Sequence, residues 1–513
     1  MASRTRLATK NVIATLATNV LIFPIQFINR YYMVRYLGIK YLGITSLFTN
    51  ILSVLSLADL GIGTAIVFLL YKPLAEHNIN KISVLMKFYR KIYRLIALVI
   101  FILGLVVMPF LHIFLHEEID YPHVYILFII YLLGTASSYL FSYNQSLLYA
   151  DQKNNIYAWY NLIVSYVMII IQVITVKIFA NPLLYAGLFV FTNFVTNIFV
   201  NAYVNKLYRL NYKTEEKLTD SETVELKENV IGNVVMRVSG VVVNGTDSLL
   251  LSAFVNVIQV GLYANYLTIT NVISRIMSQV LNAITGSIGN FIVNKGRTES
   301  EKLFFNLQFL NFILLNWAVL GIIFVSKDVI TAWLGTKYVL SELNTILIGL
   351  SFFFMNYRML GWNFIAVYGL SKYMKLFSVS EMLTNFVLSF IFLKFFKLGI
   401  TGIVLGTICS TLLTVGWQDP WVIFHHAFNK PLKKYIIRYF FNIFILMVEL
   451  FIITTIFYFI DIKILNVWIR LIIKIVSILL MGTFIPLLFY LKTEEEKYLL
   501  SLCQRLLNKG RSV

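Results

Sequence analysis

Long apolar runs, interrupted by short polar segments, fill almost the whole chain. A helix needs about 20 apolar residues to cross a bilayer, whereas a barrel strand needs about 10 residues of alternating character. The runs here are continuous and long, so the pattern predicts an all-α membrane protein. We expect about fourteen transmembrane helices, at residues 11–35, 41–70, 92–115, 122–149, 156–177, 183–205, 230–255, 259–293, 303–326, 342–368, 375–394, 399–425, 438–460 and 465–491.

The seventh and eighth of these helices each carry polar residues on one face. At 100° per residue, the polar residues of the seventh helix share an arc of about 80°; they are Asn229, Asn233, Arg237, Asn244 and Asp247. Those of the eighth share about 140°; they are Asn265, Thr268, Asn271, Arg275, Ser278, Gln279 and Asn282. A charge inside a bilayer costs about 2.5 kcal/mol or more, so such a face normally meets protein or water. We therefore expect both helices to line an aqueous cavity.

A weak internal repeat relates the two halves of the chain. The second half of the chain aligns with the first, without a gap, when Gly261 is placed on Gly43. We call this fixed difference in residue number the repeat offset. The same offset places five polar positions of the seventh span on polar positions of the first: Asn229 on Asn11, Asn233 on Thr15, Arg237 on Asn19, Asn244 on Gln26 and Asp247 on Asn29. Such repeats are common in transporters. The pattern predicts two pseudo-symmetric six-helix lobes at 1–205 and 229–425, a cytoplasmic linker at 206–228, and two added helices with a tail at 426–513.

Composition and charge support the membrane assignment. Of the 513 residues, 59% are hydrophobic and 13% are charged, whereas soluble proteins have about a quarter charged residues. The net charge of +19 is spread over many short loops, which argues against nucleic-acid binding. Segments placed inside hold 28 Lys and Arg, and those placed outside hold 8, so both termini are expected to be cytoplasmic.

Three arginines are predicted to lie at a similar depth in the membrane. They are Arg237, Arg275 and Arg358, each eight to sixteen residues from the end of its span. A guanidinium stays charged when desolvated and binds phosphate in a bidentate manner, which suits an anionic headgroup. A local ion pair, such as Arg237 with Asp247, or snorkelling is the simpler alternative for each arginine alone. Amides that would complete the substrate site are Asn19, Asn233, Asn244, Asn265, Gln279 and Asn282.

Three acids in predicted spans are candidates for ion coupling or gating. Asp247 shares a helix face with Arg237, and Asp59 ends a polar face of the second span. Asp59 could equally lie at an exposed helix end. Glu449 lies near the middle of the thirteenth span, where a protonated packing role is favoured. Farther along the chain, Asp419-Pro420 is expected to break the twelfth helix near the cytoplasm.

Sequence signatures of catalysis are missing. The chain has no phosphate-binding GK[ST] loop and no GxSxG, CxxC or HExxH motif. Cys409 and Cys503 give neither a disulfide framework nor metal-ligand spacing. The largest predicted external loop, 326–342, is too short for a catalytic domain. These features favour transport without chemistry, with no catalytic residue, no metal and no cofactor, although coupling to a proton or sodium gradient stays open.

Several segments resemble a known family. They are SLADLGIGTAIVFLLYKPLAE (56–76), MKFYRKIY (86–93), NGTDSLLLSAFV (244–255) and GLYANYLTI (261–269). These segments are similar to bacterial polysaccharide transporters of the Wzx flippase type, in the MATE-like multidrug/oligosaccharidyl-lipid/polysaccharide (MOP) superfamily. Ser248 departs from the family, which more often has Asn after the acid of the seventh span.

The resemblance implies a function in the bacterial cytoplasmic membrane. A polyprenyl-pyrophosphate-linked oligosaccharide, assembled in the cytoplasm, would be turned over to the outer leaflet by alternating opening of a V-shaped cavity between the lobes. Related lipid flippases use cavity arginines on the pyrophosphate, which implies this role for Arg237, Arg275 and Arg358. Expected partners are the lipid-linked oligosaccharide, membrane lipids and polymer-synthesis enzymes, with the chain acting as a monomer.

Other functions remain open on the sequence alone. A cation-coupled multidrug exporter of the same superfamily would have an apolar, aromatic and acidic site, whereas the predicted cavity is rich in Asn and Arg. Flippases for teichoic-type units or peptidoglycan precursors share the lipid handle, so the sequence does not distinguish the sugar. A scaffold for polymer-synthesis enzymes would need no polar face inside the membrane.

Overall fold

The computed structural model describes residues 2–56, 62–115, 123–214, 245–463 and 466–510. These residues are helical apart from short connections. The helices, labelled α1 to α17, are Ala2–Leu55, Ile62–Ala75, Ile79–Val107, Leu111–Leu115, Val124–Ala150, Asn154–Phe179, Pro182–Tyr208, 245–254, Val257–Trp333, Glu342–Tyr357, Met359–Val367, Met374–Lys394, Ile400–Leu413, Val415–Val422, Lys433–Lys463, Val467–Phe489 and Glu494–Gly510. A π-helical turn, Ile423–Phe428, follows α14.

Capping side chains and glycines set where several helices begin or break. The side chains of Asn78, Asn181 and Asn466 accept hydrogen bonds from backbone N–H groups in the first turns of α3, α7 and α16. Two long helices are instead interrupted at glycines of positive φ, Gly38 in α1 and Gly296 in α9. Glycine adopts that conformation at little cost because it lacks a Cβ atom.

Helix boundaries recur at the repeat offset that the sequence predicts. Helices α5 and α10 begin at Val124 and Glu342, and α7 and α13 begin at Pro182 and Ile400. The breaks between helices recur as well. The break at Gly38 in α1 corresponds to position 256, just before α9. The break at position 78, just before α3, corresponds to the one at Gly296 in α9. The two halves therefore share one order of helices, although the predicted division into six-helix lobes stays a prediction.

Eleven helices within the described ranges are long and apolar enough to cross a membrane, against about fourteen predicted spans. The predicted spans 41–70, 230–255 and 259–293 are not among the eleven as separate helices. Residues 57–61 and 215–244 lie outside the described part, and 257–293 is helical but rich in Asn, Ser, Thr and Gln. The chain is an all-helical, multi-pass membrane protein, and the count of fourteen stays a prediction.

The chain divides into two compact units, residues 1–264 and 265–513. In the first unit, α1 packs on α6, and α5 packs between α3 and α7. The second half of α1 also meets the start of α9 in a reciprocal contact. A Cβ atom on Gly43 would collide with the carbonyl oxygen of Val257, and one on Gly261 would lie 2.7 Å from that of Ile39. The contact is reciprocal because the repeat offset relates Gly43 to Gly261 and also relates their two partners.

In the second unit, α12 packs on α13, α10 packs on α13, and α15 packs on α16. Aromatic rings around Phe304 fill part of its core. The last membrane helix, α16, joins α9 through polar contacts: Trp317 donates to Thr483 at 3.0 Å, and Asp328 pairs with Arg470 and Lys474. Asp328 thus compensates the positive charges of Arg470 and Lys474 inside α16.

Candidate functional site

Several of the predicted site residues fall outside what the structure describes. Arg237, Asn233 and Asn244 lie within 215–244, and Asp59 lies within 57–61. Asn19 lies in α1, but its side chain is not among those described. The roles predicted for these five residues stay predictions.

The first part of α9 carries the polar face predicted for the eighth span. Arg275 and Asn282 are exposed and Gln279 is half-buried, at the i, i+4 and i+7 positions that share one side of a helix. No ion pair or hydrogen bond of the Arg275 side chain is recorded within the described ranges. Asn265, predicted for the same face, is fully buried.

The side of α9 next to this polar face packs against the broken helix that carries Arg358. Ser274 donates to the side-chain oxygen of Asn356 at 2.9 Å, and the Asn363 amide donates to the carbonyl oxygen of Leu281 at 2.9 Å. The contacts lie on both sides of Arg358 in the chain. Two of the three predicted arginines therefore belong to helices that pack directly on each other.

Arg358 lies at the break between α10 and α11. The helix hydrogen bonding is interrupted here, and the carbonyl oxygen of Tyr357 instead accepts hydrogen bonds from the side chains of Gln308 and Asn311, at 3.1 and 3.3 Å. A buried backbone oxygen needs such a partner when a helix is broken in the membrane. Polar side chains of α9 therefore stabilise the break.

The guanidinium of Arg358 is held between two carboxylates. Its Nη2 lies 2.7 Å from Oε1 of Glu381 on α12, and its Nη1 lies 3.4 Å from Oδ2 of Asp419 on α14. The same Oδ2 accepts a hydrogen bond from the indole of Trp362 at 3.0 Å. The side chains of Arg358 and Glu381 are 10% exposed, and that of Asp419 is 1% exposed. We call Arg358, Glu381 and Asp419 the charged triad.

Sequence reasoning found one member of this triad as a site residue and missed two. Arg358 was predicted as an anion ligand, with a local ion pair as the alternative, and in this structure it has two carboxylate partners. Glu381 is the only acid in its predicted span, 375–394, and that signal was available in the sequence. Asp419 was predicted to lie near the end of a helix and was not named as a site residue. Glu381 and Asp419 lie 23 and 61 residues from Arg358 in the chain, so the local spacing of residues does not reveal either pairing.

The corresponding place in the first unit is neutral. At the repeat offset, positions 362 and 419 correspond to Asn144 and Asn201. The amide of Asn144 donates to the side-chain oxygen of Asn201 at 2.9 Å, as Trp362 donates to Asp419. Both halves thus join the same pair of helices by one side-chain hydrogen bond, but only the second half carries charge there.

The two remaining predicted acids are buried in different places. Asp247 lies in α8 of the first unit, and its Oδ1 has no hydrogen-bond partner among the described residues. Glu449 of α15 is fully buried, and the described part of the chain offers no partner to either of its oxygens. A group of three or more His, Cys, Asp or Glu that could hold a metal ion is not found in the ranges searched. The ion-coupling roles of both acids stay predictions.

Solved structures of transporters share this fold. The lipid II flippase MurJ in an inward closed conformation aligns with a TM-score of 0.66 at 15% identity, over 94% of this chain and 99% of MurJ. An inward-facing multidrug resistance MATE family transporter of the MOP superfamily aligns at 0.60 and 11% identity, over 80% and 98% of the two chains. A Vibrio cholerae MATE transporter aligns at 0.57 and 14%, over 85% and 99%. The chain therefore has the fold that these three proteins share.

The family is shown by sequence. The model of the polysaccharide biosynthesis protein family matches residues 8–285, more than half of the chain, and the chain belongs to that family. A search of curated proteins gave no match. The family assignment confirms the predicted resemblance to polysaccharide transporters, because the segments that carry it lie within 8–285. The chain is therefore a member of the polysaccharide biosynthesis protein family and has a fold that solved transporter structures share.

Proposed function

We propose that this protein is a flippase that carries polyprenyl-(pyro)phosphate-linked oligosaccharide units from the inner to the outer leaflet by alternating access. The observation that carries the proposal is the polar face of α9, where an exposed guanidinium, Arg275, stands among the amides Gln279 and Asn282 in a membrane protein of the polysaccharide biosynthesis family. The substrate would supply a capsule, an exopolysaccharide or another cell-surface polymer.

The chemistry of this face matches the substrate. A pyrophosphate offers anionic oxygens that a guanidinium binds through two parallel hydrogen bonds. Side-chain amides donate to and accept from sugar hydroxyls. The polyprenyl tail needs no polar partner because it stays in lipid. Arg275 would thus anchor the headgroup, and the amides one and two turns along the helix would meet the first sugars.

Arg358 has a conditional role in this proposal. Its guanidinium contacts both Glu381 and Asp419 in this structure. It therefore binds a phosphate only in a state in which at least one of these two contacts is broken. Arg237 would complete the predicted trio. The anchor therefore rests first on Arg275.

The main alternative is a multidrug exporter of the same superfamily, in which a cationic drug binds an acidic, aromatic site. An exposed arginine on α9 would repel such a substrate, which favours an anionic one. Lipid-linked teichoic-type units and peptidoglycan precursors fit the same face, because they carry the same phosphate handle.

The proposal is tested by complementation of a strain that lacks its own oligosaccharide flippase. We expect the wild-type chain to restore surface polymer, Arg275→Ala to abolish it, and Arg275→Lys to restore it in part, since lysine lacks the planar fork. Arg297→Ala is the matched control, because Arg297 is exposed on the same helix beyond the Gly296 break.

Membrane levels of each variant are measured by immunoblot. Full surface polymer with Arg275→Ala at wild-type abundance would remove the anchor from this residue. Drug resistance without surface polymer would support the multidrug alternative.

A further inference from the structure

The charged triad has an unbalanced charge. Arg358 contributes one positive charge, and Glu381 and Asp419 contribute two negative charges, in an interior where all three side chains are at least nine-tenths buried. A net charge in a membrane interior is costly unless a partner compensates it. Binding of one proton would make the triad neutral.

Unsatisfied polar atoms surround the triad. Asp419 uses Oδ2 for both Arg358 and Trp362, and its Oδ1 has no partner among the described residues. The same holds for Nε of Arg358 and for the buried hydroxyl of Tyr439, which reaches the region from α15. Buried polar atoms are nearly always paired in native proteins, so Oδ1 of Asp419 is an acceptor open to a further partner.

The donor set favours a proton over a metal ion. A metal ion would need several oxygen ligands, and Arg358 brings a positive charge to 3.4 Å from the carboxylate of Asp419, where it would repel a cation. A proton needs one oxygen, and Oδ1 of Asp419 is not used by the guanidinium contact. Its binding would also weaken the hold of Asp419 on Arg358, because a neutral carboxyl group attracts a guanidinium less strongly.

We propose that Asp419 binds a proton at Oδ1 and that this proton determines whether Arg358 is held by the carboxylates or is released to bind the anionic group of the substrate. The second half of the inference rests on the proposed function, and the first half does not. Proton binding and substrate binding then favour each other, so the two binding events are coupled.

The groups that face the triad come from each neighbouring element. Arg358 comes from the break between α10 and α11, Glu381 from α12, and Tyr435 and Tyr439 from α15. The nearby histidines are engaged elsewhere, since His425 stacks on Trp421 and His426 stacks on Tyr373. Among these groups, Glu381 and Asp419 are the two acids that contact Arg358.

Trp362 provides a direct measurement in the substrate-free protein, because its indole donates to Asp419. The purified full-length chain is placed in lipid nanodiscs, and its fluorescence is titrated with pH. The signal of Trp362 is obtained by subtracting the titration of Trp362→Phe, since the chain has seven Trp. We expect a one-proton curve in the wild type that Asp419→Asn lacks.

Asn201→Ala is the matched control, because Asn201 occupies the corresponding place in the first unit and carries no titratable group. It should titrate as the wild type does. A wild-type curve in Asp419→Asn would overturn the inference, and a curve lost only in Glu381→Gln would move the proton to Glu381. Should Asp419→Asn fail to fold, the infrared carbonyl band of a protonated carboxyl group is followed with pH in Asp247→Asn with Glu449→Gln, where the two other buried acids without partners no longer contribute; a band that fades as pH rises supports the inference, and its absence overturns it.

The coupling is tested with polyprenyl pyrophosphate that carries no sugar. Because the protonated form releases Arg358, wild-type affinity should fall by up to tenfold per pH unit above the titration midpoint. Asp419→Asn should bind with an affinity independent of pH. Wild-type binding without pH dependence would overturn the coupling. Absence of binding at every pH, with the titration intact, would refute the proposed function and leave the proton site standing.

Discussion

Positions 144 and 201 of the first unit correspond to positions 362 and 419 of the second, and the two pairs are built from different chemistry. The first pair is a neutral hydrogen bond between two amides, at 2.9 Å. The second is an indole bound to a carboxylate that also holds Arg358. A neutral pair has one state near neutral pH, whereas a charged triad has at least two. On the proposed proton binding, the same helix junction is fixed in one unit and switches in the other.

The distribution of ion pairs follows the same division. Within the described ranges, the ion pairs of the first unit, Lys72 with Glu76 and Lys153 with Asp151, are at the surface. The second unit buries both the charged triad and the pairs that Asp328 makes with Arg470 and Lys474. Among the described residues, buried ion pairs are therefore a feature of the second unit.

The largest predicted effect is that of Arg358→Ala. The substitution leaves Glu381 and Asp419 buried without their cation, and breaking a buried pair in this way costs about 3–5 kcal/mol. We expect a large loss of thermal stability in detergent, measured by the temperature at which the protein stops eluting as a single species. The triple change Arg358→Met with Glu381→Gln and Asp419→Asn should recover most of it, because no charge is left unpaired. Equal stability of Arg358→Ala and the wild type would show that the triad is not buried as described.

A smaller effect is expected where the first unit packs backbone against backbone. Gly43→Ala would place a methyl group on the Val257 carbonyl, and such overpacking costs about 1–3 kcal/mol. Gly261→Ala should behave alike, because its contact with Ile39 is the reciprocal one. Gly321→Ala is the control, since nothing lies within 4 Å of its added Cβ. The measurement is unfolding in urea. If Gly43→Ala and Gly261→Ala are both as stable as the wild type, the reciprocal packing is contradicted.

The smallest effect belongs to the neutral pair. Asn144→Ala removes one hydrogen bond between membrane helices, which is worth about 1 kcal/mol. Stability should fall slightly and should not depend on pH between neutral and mildly alkaline conditions. A loss as large as that of Arg358→Ala would erase the contrast between the two units.

The helix order and the polar face of α9 were predictable because both depend on local spacing. Arg275, Gln279 and Asn282 share a side through the period of the helix alone, and the predicted spans 342–368 and 399–425 begin at or next to the starts of α10 and α13. The break at Arg358 was not predictable, because no Pro or Gly marks it. It depends on Gln308 and Asn311, side chains nearly fifty residues away that satisfy the Tyr357 carbonyl.

The triad shows a second limit. Arg358 lies within 342–367, a segment long and apolar enough to cross a membrane, but a single sequence does not reveal which charges meet in space. Asp419 was predicted to lie at the end of a helix because Pro420 follows it. The prediction was wrong, because α14 continues through Pro420 and the Asp419 carboxylate is buried. Spans that adjoin the undescribed residues 57–61 and 215–244 remain predictions from hydropathy.

The central claim, transfer of an anionic lipid-linked sugar across the membrane, is tested most directly in proteoliposomes that contain the purified chain. The substrate is a polyprenyl-pyrophosphate-linked disaccharide with a fluorophore on the sugar, and a membrane-impermeant reductant added outside quenches the fluorophores it can reach. The account predicts that the wild type exposes the inner-leaflet fraction to quenching, that Arg275→Ala does not, and that a polyprenyl-linked sugar without phosphate is not moved. Equal transfer by the wild type and by protein-free liposomes, or wild-type transfer of the phosphate-free lipid at the same rate, would contradict it.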